Sequence, residues 1–543
     1  MTDTPAIPSR PEMADLEKLS PFELRVRLIA LAGKEQQRTG APLLNAGRGN
    51  PNFVTATPRD AFFQFGLFAV EAARDAGQWS PDLLAQPNQS GIAASLRTWL
   101  GAREGQKGIA FLGSVLDWAQ QQGWDADAFV WELADNILGE HYVSPPAMTP
   151  FTAKIAAQYL GSVMGEGFPA PEDIDLFGTE GGSAAMCYIF GTLFANSLLS
   201  QGDTVAIMAP VFTPYLDIAD LPEFALNKVL IEADVVGSDG RHTWQFSPEQ
   251  IDKLRDPSIK LLVCINPTNP PSVRVSDDTV AQIKQIIAED NPDLIVITDD
   301  VYCTFIDGFR SLASVIPDNT ILVYSYSKYF GATGWRLGTV ATTKTTVLDK
   351  HLAALPADVK ARLAKRYASF TDDSESLTFT QRLVADSRDV ALNHTAGISG
   401  PQQVQLALFS LFDLLDTEKQ YRKDAQALVR RRLDALVEGL GITLAPDPLR
   451  VGYYIELDFL AYAEEHYPAE FGEYLKANYE PADILFRIAA QTEIVALNGS
   501  GFDGPPWSIR LSLANLNEED YRTIGEGIVR VAKEYEQEWK AAK

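Results

Sequence analysis

The sequence predicts an α/β fold: a three-layer, mostly parallel sheet covered by helices, joined to a smaller α+β domain and to helical insertions. Two observations lead to this prediction. The middle of the chain alternates short apolar segments with amphipathic helical stretches, which is typical of a parallel sheet with helices on its faces. The chain also has 543 residues, 46% of them hydrophobic, which is too many for one compact core and predicts more than one domain.

Five strands are predicted in this middle region, at residues 175–177, 204–208, 260–265, 294–297 and 321–324. Between the third and the fourth, a helix is predicted because apolar residues recur on one helical face, at Val280, Ile283, Ile286 and Ile287. The strands run into polar or glycine-rich segments, which are GTEGGS, APVFTPY, NPTNPP, TDDVY and SYSK. Ligands of open α/β sheets bind beyond the carboxyl ends of the strands, so the sequence predicts a binding site at this edge.

By composition, the chain divides into five predicted segments. Residues 1–55 are expected to pack with the smaller domain, and residues 56–141, rich in tryptophan and helix formers, to form a helical insertion. Residues 142–344 are the predicted large domain. A second, charged helical insertion is predicted at 345–399, and the smaller C-terminal domain at 400–543.

The charge of the chain excludes some classes of partner. Acidic residues outnumber basic ones by 72 to 46, a formal charge of −26, so neither nucleic acid nor an anionic membrane surface is an expected partner.

The histidines and the three cysteines show no spacing typical of a metal site or a disulfide framework. We therefore expect no metal, and the cytoplasm is the expected location because no signal-peptide pattern is visible.

The segment that follows the fifth strand is the first candidate for chemistry. It reads SYSKYFGATGWRLG, with Ser325, Lys328 and Arg336 spaced across a glycine-rich turn. A lysine becomes a nucleophile only when its amine is partly uncharged, which requires a positive neighbour or desolvation. Arg336 can bind a phosphate and keep the pocket positive, and Ser325 can add a hydroxyl to the same phosphate.

The other strand ends carry side chains that suit an aromatic cofactor ring. Asp299 ends a strand, where its carboxylate can pair with a protonated pyridine nitrogen, and Tyr302 can hydrogen-bond a phenolic ring oxygen. Asn269 can donate to that same oxygen, and Phe212 can stack on the ring. Each also has an ordinary alternative: an Asp-Asp turn, a proline-rich loop or a core aromatic.

A glycine turn after the first strand suits an anion. Gly182 and Ser183 open a predicted helix, where backbone amides and a hydroxyl can meet a phosphate at the positive helix terminus. The turn matches neither the Walker pattern nor G-x-G-x-x-G, so nucleotide binding is not indicated.

Together, and in this order along the chain, these segments resemble the aspartate aminotransferase-like superfamily, the enzymes of fold type I that use pyridoxal 5'-phosphate. The resemblance implies that residues 142–344 bind this cofactor and that Lys328 carries it covalently, with Asp299 and Tyr302 as its catalytic partners. It implies a cofactor-binding set made of Gly182, Ser183, Phe212, Asn269, Asp299, Tyr302, Ser325, Lys328 and Arg336.

The resemblance extends to both ends of the chain. LNAGRGNPNF looks like the N-terminal substrate segment of the superfamily, which places Gly49 beside the substrate with Asn269. WSIRLSLANL looks like its C-terminal arginine strand. The resemblance implies that the Arg510 guanidinium binds the substrate's α-carboxylate through two hydrogen bonds. Tyr142 matches the tyrosine that reaches the cofactor phosphate of the neighbouring subunit, and this implies a dimer with shared active sites.

Three departures from the superfamily pattern narrow the reaction. The first is a pair of insertions, the unusually long connection from Pro51 to Tyr142 and residues 345–399. The second is Arg48, which stands between two glycines where most members have an apolar residue. The third is the asparagine motif, which reads NPPS instead of NPTG. This whole-chain pattern resembles the aspartate 4-decarboxylases, whose insertions support a large assembly of dimers.

That resemblance implies β-decarboxylation of L-aspartate to L-alanine and carbon dioxide through a ketimine, with transamination as a side reaction. Arg48 is a hypothesis for the side chain that orients the β-carboxylate, although a purely structural arginine is about as frequent at such a turn. The alternatives are an aminotransferase for dicarboxylic amino acids and, more remotely, an effector sensor that uses this fold without catalysis.

Overall fold

The computed structural model describes residues 6–238, 240–388 and 397–543. Its N-terminal part begins with helix α1 (Arg10–Leu16), helix α2 (Pro21–Thr39) and the short strand β1 (Leu44–Asn45). The sequence sets both ends of α2: the Ser20 side chain accepts a hydrogen bond from the Glu23 amide, and Gly40 ends the helix at a φ of 77°.

A layer of helices follows. It contains α3 (Ala56–Ala76), α4 (Ile92–Gly101), α5 (Lys107–Gln121), α6 (Ala126–Leu138) and α7 (Pro150–Val163), with a hairpin of β2 (Gln78–Ser80) and β3 (Leu83–Leu84) after α3. The apolar faces of α3 to α6 meet in one cluster around Phe65, Leu112 and Phe129. This layer occupies most of the predicted insertion at 56–141.

The large sheet has seven strands, which are β4 (Ile174–Thr179), β5 (Thr204–Ala209), β6 (Asn227–Glu232), β7 (Ile259–Ile265), β8 (Ile295–Asp299), β9 (Thr320–Ser325) and β10 (Gly338–Thr343). Their spatial order is β4-β10-β9-β8-β7-β5-β6, and β10 alone runs antiparallel to its neighbours. The helices of this region are α8 (Gly182–Ala195), α9 (Pro214–Asp220), α10 (Pro248–Asp252), α11 (Asp277–Glu289) and α12 (Leu312–Val315). They cover both faces, so the predicted three-layer, mostly parallel sheet is confirmed.

All five predicted strands are present, and so is the predicted helix, in which Val280, Ile283, Ile286 and Ile287 are buried. The prediction missed β6 and β10. Strand β6 lies at the sheet edge, and its three apolar residues are flanked by exposed polar ones. Strand β10 is threonine-rich, so neither strand has a long apolar run.

The rest of the chain begins with α13 (Val347–Ala353), α14 (Ala357–Tyr367) and α15 (Phe379–Asp386), and residues 389–396 of the predicted second insertion lie outside the described residues. It continues with α16 (Gly400–Leu415), α17 (Gln420–Leu440), β11 (Tyr454–Asp458), α18 (Phe459–His466), α19 (Ala469–Asn478), α20 (Asp483–Thr492), β12 (Ile494–Val495), β13 (Leu497–Asn498), β14 (Ser508–Ser512) and α21 (Glu518–Ala542).

Strands β11, β14 and β13 form a small antiparallel sheet, and β1 pairs with β12. The N-terminal helix α2 therefore packs in the same apolar cluster as α20 and α21. Helix α16 instead packs on α3, α6 and α7, and the predicted segment boundaries remain predictions. Across the described ranges, none of the helices is both long enough and apolar enough to cross a membrane.

Candidate active site

Lys328 lies in the connection between β9 and β10, beyond the carboxyl end of β9. Its Nζ is half-buried and donates a hydrogen bond of 3.0 Å to the carbonyl oxygen of Gly49. The N-terminal segment and helix α3 hold this turn in place, because Arg59 donates to the carbonyls of Phe330 at 3.0 Å and Gly331 at 2.6 Å. Gly331 has a φ of 57°, and a Cβ there would lie 2.0 Å from a backbone oxygen, so only glycine fits.

Asp299 is the last residue of β8 and is buried beneath the site. Its carboxylate accepts hydrogen bonds from the Tyr215 hydroxyl at 2.5 Å and from the Val301 amide at 3.2 Å. Burial raises the pKa of Asp299, while the hydrogen bonds from Tyr215 and Val301 and the charge of Lys328 partly oppose the rise. A positive partner at this carboxyl group would complete its ionisation, as a protonated pyridine nitrogen does.

A cluster of glycine, serine and arginine suits a phosphate. Helix α8 begins at Gly182, and an added Cβ at Gly181 would lie 2.6 Å from Arg336 Nη2, so the guanidinium sits against the turn. The hydroxyl of Ser325 donates to that of Ser327 at 2.9 Å, and Ser325 Cβ lies 3.9 Å from the Cβ position of Gly182. Backbone amides, hydroxyls and one guanidinium therefore converge at a helix N-terminus.

Ser183 and Phe212 lie just beyond the carboxyl ends of β4 and β5. Ser183 is exposed in the first turn of α8, on the phosphate side. The Phe212 ring lies 5.8 Å from that of Tyr215, the hydroxyl donor to Asp299, and 5.9 Å from that of Phe22. Phe212 thus lies beside Tyr215, two residues before helix α9, and its stacking on a cofactor ring remains a prediction.

Arg510 forms the opposite end of the site. It is 2% exposed and donates to Asn269 Oδ1 and to the carbonyl of Gly47, both at 3.3 Å. Its Nε has no hydrogen-bond partner, and within the described residues no ion pair joins Arg510 to a carboxylate. A buried guanidinium in this state is a ready receptor for a ligand carboxylate.

Tyr302 contacts a second tyrosine that the sequence analysis missed. The Tyr302 hydroxyl donates to the Tyr454 hydroxyl at 3.1 Å, and the guanidinium of Arg510 lies 4.4 Å from the centre of the Tyr454 ring. Tyr454 opens β11, which pairs with the Arg510 strand. The segment VGYYIELD could have predicted a strand, because apolar and polar residues alternate in it. Tyr454 reaches the site only because this strand pairs with WSIRLS.

The N-terminal segment brings two further arginines to the site. Arg48 is exposed next to Gly49, and Arg25 on α2 places its Cδ 3.2 Å from the Cβ position of Gly47. Burial and then the charges of Arg48 and Arg510 lower the pKa of Arg25, so the three guanidiniums share one region. Neither Arg25 nor Arg48 forms a hydrogen bond or ion pair with another described residue. Arg25 was missed because only tertiary packing brings α2 here.

Tyr142 is 75% exposed, in the loop before α7. Its role at the site of a neighbouring subunit remains a prediction, since it depends on a second chain.

The residues present fit pyridoxal 5'-phosphate. The glycine turn, Ser183, Ser325 and Arg336 would hold the phosphate, Asp299 the ring nitrogen, and Tyr302 with Asn269 the ring oxygen. Lys328 would supply the amine, since its Nζ is half-buried and lies over Gly49 next to the Tyr454 hydroxyl. The glycine turn supports this fit. A side chain at Gly181 would clash with the guanidinium of Arg336, which would bind the phosphate, so the position has to be glycine.

Glu456 gives this end of the molecule a dependence of stability on pH. It lies opposite Arg510 in the β11–β14 pair, and burial raises its pKa from 4.5 to about 8, although Ser508 donates to it. Between these two pH values the folded protein keeps the Glu456 proton while the unfolded chain loses it. The contribution of protonated Glu456 to the stability of the folded protein is therefore complete below pH 4.5 and is lost as the pH rises through about 8.

We expect Glu456→Gln to unfold at the same urea concentration as the parent near pH 4.5 and to be more stable by roughly 3 kcal/mol at neutral pH. Urea unfolding at several pH values measures this difference. Glu438→Gln, which removes an exposed carboxylate paired with Arg522, is the control and should show no such trend. A constant difference between Glu456→Gln and the parent across the pH range would contradict the assignment.

Comparisons with known proteins identify the family of the chain. The sequence model described as aminotransferase class I and II matches residues 178–528. The chain is 45% identical, over 97% of its length and 98% of the relative, to a Pseudomonas protein named bifunctional aspartate aminotransferase and L-aspartate beta-decarboxylase. It is 24% identical to an aspartate aminotransferase of Streptomyces avermitilis over 65% of this chain and 72% of that one.

Solved structures show the same fold. A Thermus thermophilus aspartate aminotransferase mutant superposes with a TM-score of 0.57 at 20% identity, covering 97% of this chain and 100% of that one. The aspartate aminotransferase of Rhizobium meliloti gives 0.57 at 17% identity, covering 97% and 99%. Enzymes of this kind depend on pyridoxal 5'-phosphate, in keeping with the site described above. The chain belongs to the aminotransferase class I and II family.

Proposed function

We propose that this enzyme removes the β-carboxylate of L-aspartate, releasing L-alanine and carbon dioxide, with transamination as a side reaction. The observation that carries the proposal is a set of three guanidiniums at one end of the site: Arg510 donates to the Gly47 carbonyl, Arg25 packs against Gly47, and Arg48 follows Gly47 in the chain. A substrate with two carboxylates satisfies such a set. The relative with 45% identity over nearly the whole chain, whose name includes this activity, supports the same choice.

When bound, pyridoxal 5'-phosphate supplies an electron sink for bonds broken at the substrate's α- and β-carbons. Asp299 would keep the ring nitrogen protonated, which makes that sink effective. Arg510 would hold the α-carboxylate, with Asn269 fixing the guanidinium from the other side. Lys328 would anchor the cofactor and then move the proton at the α-carbon.

Exclusion of water decides between the two reactions, because transamination needs a water molecule and decarboxylation does not. Tyr302, Tyr453 and Tyr454 are all at most 2% exposed and their rings pack against one another beside Lys328. Such an aromatic wall restricts water at the substrate end of the site. It favours loss of carbon dioxide over hydrolysis.

The test of this function is an incubation of cofactor-loaded enzyme with L-aspartate in the absence of any 2-oxo acid. We expect many turnovers of alanine and carbon dioxide per subunit. At most one equivalent of oxaloacetate, with the cofactor left in its amine form, would instead identify a transaminase.

An aminotransferase for dicarboxylic amino acids is the second candidate. The same guanidinium set favours it, since Arg510, Arg48 and Arg25 would bind L-aspartate equally well before either reaction. The effector-sensor alternative fits poorly, because the relative with 45% identity is named as an enzyme.

We propose that Arg48 and Arg25 together orient the β-carboxylate. Both guanidiniums lack a hydrogen-bond or ion-pair partner among the described residues, so we expect each to bind the carboxylate when the other is removed. We therefore expect Arg48→Gln or Arg25→Gln alone to change KM for L-aspartate by less than about tenfold. The KM of the double variant should be about 100-fold higher, because the β-carboxylate then loses its charged hydrogen-bonding partner.

Steady-state kinetics on the two single variants and the double variant check this prediction, with inhibition by L-alanine as the control. L-Alanine lacks the second carboxylate, so its affinity should not change. If the double variant saturates with L-aspartate as the parent does, neither arginine holds the β-carboxylate.

We propose a dimer in which Tyr142 reaches the phosphate site of its partner, and a larger assembly of such dimers. Helix α3 supports the larger assembly, because Phe63, Leu67 and Val70 form an apolar stripe that is 60%, 59% and 40% exposed. The hairpin that follows adds Trp79, at 73%, and Leu83, at 57%. Exposed apolar surface of this extent on a protein of charge −26 is typical of a contact between subunits.

We expect the pair of changes Leu67→Arg and Trp79→Arg to reduce the mass of the particle to that of a dimer, because each places a charge in the apolar contact. Light scattering coupled to gel filtration measures the mass. Gln121→Arg, which adds a charge to an exposed position on α5, is the matched control and should keep the parent's mass. An unchanged mass in the double variant would show that this stripe is not the contact.

The cytoplasm is the location we propose. The three cysteines, Cys187, Cys264 and Cys303, are all free, and burial raises the thiol pKa of the last two. Unpaired thiols are typical of a reducing compartment.

A further inference from the structure

The hydroxyl of Tyr454 lies at the point where the lysine and the substrate-binding arginine come closest. A Cβ added to Gly49 would lie 2.6 Å from Tyr454 Oη and 3.2 Å from Lys328 Nζ, so both polar atoms approach one spot over this glycine. The Tyr454 ring also lies against the guanidinium of Arg510. A substrate held by Arg510 in front of Lys328 is therefore within reach of this phenol.

The electrostatics of Tyr454 differ from those of its neighbours. Burial raises the pKa of all three clustered tyrosines, and those of Tyr302 and Tyr453 stay well above the ordinary value. For Tyr454, the charges of Lys328 and Arg510 outweigh burial and lower the pKa. The Tyr302 hydroxyl donates to Tyr454, which also favours its ionised form. Tyr454 is thus the tyrosine of this cluster that can give up a proton and recover it.

The backbone holds Tyr454 firmly. The hydroxyl of Ser272 accepts a hydrogen bond from the Tyr453 amide at 3.0 Å, and the Ser272 carbonyl accepts one from the Val451 amide at 2.9 Å. Ser272 adopts a φ of 60° at the position where the asparagine motif usually has glycine. Its side chain thus links the loop of Asn269 to the start of β11 and fixes the direction of Tyr454.

We propose that Tyr454 is the acid that protonates the substrate's β-carbon after the carboxylate has left. The proposal rests on the proposed function. In this step the bond between the β-carbon and the carboxylate breaks, carbon dioxide leaves and the electron pair stays with the substrate. The O–H bond of Tyr454 then breaks as a C–H bond forms at the β-carbon. After alanine has left, a proton from solvent restores the phenol, and this is the one proton that the overall reaction consumes. Lys328 takes no part in this step and handles only the proton at the α-carbon.

The first test follows two reactions of the holoenzyme with L-aspartate in D₂O by NMR: exchange of the α-hydrogen and formation of alanine. Tyr454→Phe should retain α-hydrogen exchange within about fivefold and lose about 100-fold or more in the rate of alanine formation, as expected for removal of a positioned acid. Tyr326→Phe is the matched control, because it removes a buried hydroxyl whose hydrogen-bond partner is Ser410 on helix α16. It should keep both rates.

The second test measures the phenol itself, in the enzyme with and without cofactor. The ultraviolet difference titration between the parent and Tyr454→Phe should show one tyrosine that ionises below the ordinary pKa of 10.0. The same step should remain in Tyr326→Phe.

The outcomes separate this proposal from the proposed function. If the parent makes alanine and Tyr454→Phe makes it as fast, Tyr454 is not the acid and the function stands. If the rate of α-hydrogen exchange falls as much as that of alanine formation, Tyr454 is needed for substrate binding or for the action of Lys328. The proposal is then overturned. A missing low-pKa step in the parent overturns it as well. If the parent makes no alanine at all, the proposed function fails first.

Discussion

Replacing Lys328 with alanine should abolish the release of alanine and carbon dioxide from L-aspartate. Lys328 is the amine at the carboxyl end of β9, and its Nζ lies on the same side of Gly49 as the Tyr454 hydroxyl. In the proposed function, loss of this side chain would remove both the covalent anchor of the cofactor and the group that moves the α-proton. We expect the turnover number to fall by at least about 10⁴-fold, since proton transfer alone contributes 10²–10⁴.

The measurement is alanine release by Lys328→Ala after reconstitution with cofactor, beside the absorption spectrum of the bound cofactor. The Ser325, Arg336 and Asp299 side chains remain, so the cofactor should still bind, but without the absorption band of its covalent link to lysine. Added methylamine should restore a small part of the activity by replacing the missing amine. Lys260→Ala, which removes a surface ion pair with Asp203, is the control. Activity in Lys328→Ala near the parent's level would show that another lysine carries the cofactor.

The motif residues could be predicted from the sequence because each lies within a few residues of a strand end. Asp299 follows an apolar strand directly, and Lys328 lies three residues beyond one, so local pattern fixes their place along the sheet edge. The parallel arrangement then brings both ends together, as the structure has them. For such residues, strand position and side-chain chemistry were sufficient.

Tyr454 and Arg25 could not be predicted in this way. Tyr454 reaches the site only because β11 pairs with β14, so its place depends on a register that the sequence does not display. Arg25 faces the site because α2 packs with the C-terminal helices, more than 400 residues away along the chain. Helix α16 is a similar case: its pattern predicts a helix, but only tertiary contacts reveal that it packs on α3 and α6.

Arg510→Gln should lower kcat/KM for L-aspartate by about 10³-fold, because truncating one partner of a buried charge pair typically removes 2–5 kcal/mol. Arg510 is fixed by Asn269 and Gly47 from two sides, which leaves its Nε without a partner until a carboxylate binds. Arg510→Lys should recover only part of the loss, since an ammonium keeps the charge but not the two-pronged geometry. Initial rates over a range of aspartate concentrations measure both variants.

The thermal stability of the same variants tests the physical reason behind this prediction. If Arg510 is a buried charge without a counter-ion in the ligand-free protein, removing it should not destabilise the fold. The melting temperature of ligand-free Arg510→Gln should then be no lower than that of the parent. L-Aspartate should raise the melting temperature of the parent and leave that of the variant unchanged. Arg431→Gln, which breaks an exposed ion pair with Glu518, should respond to L-aspartate as the parent does. A variant that melts well below the parent and still responds to L-aspartate would instead make Arg510 a structural residue, and the α-carboxylate would have to be held by Arg48 or Arg25.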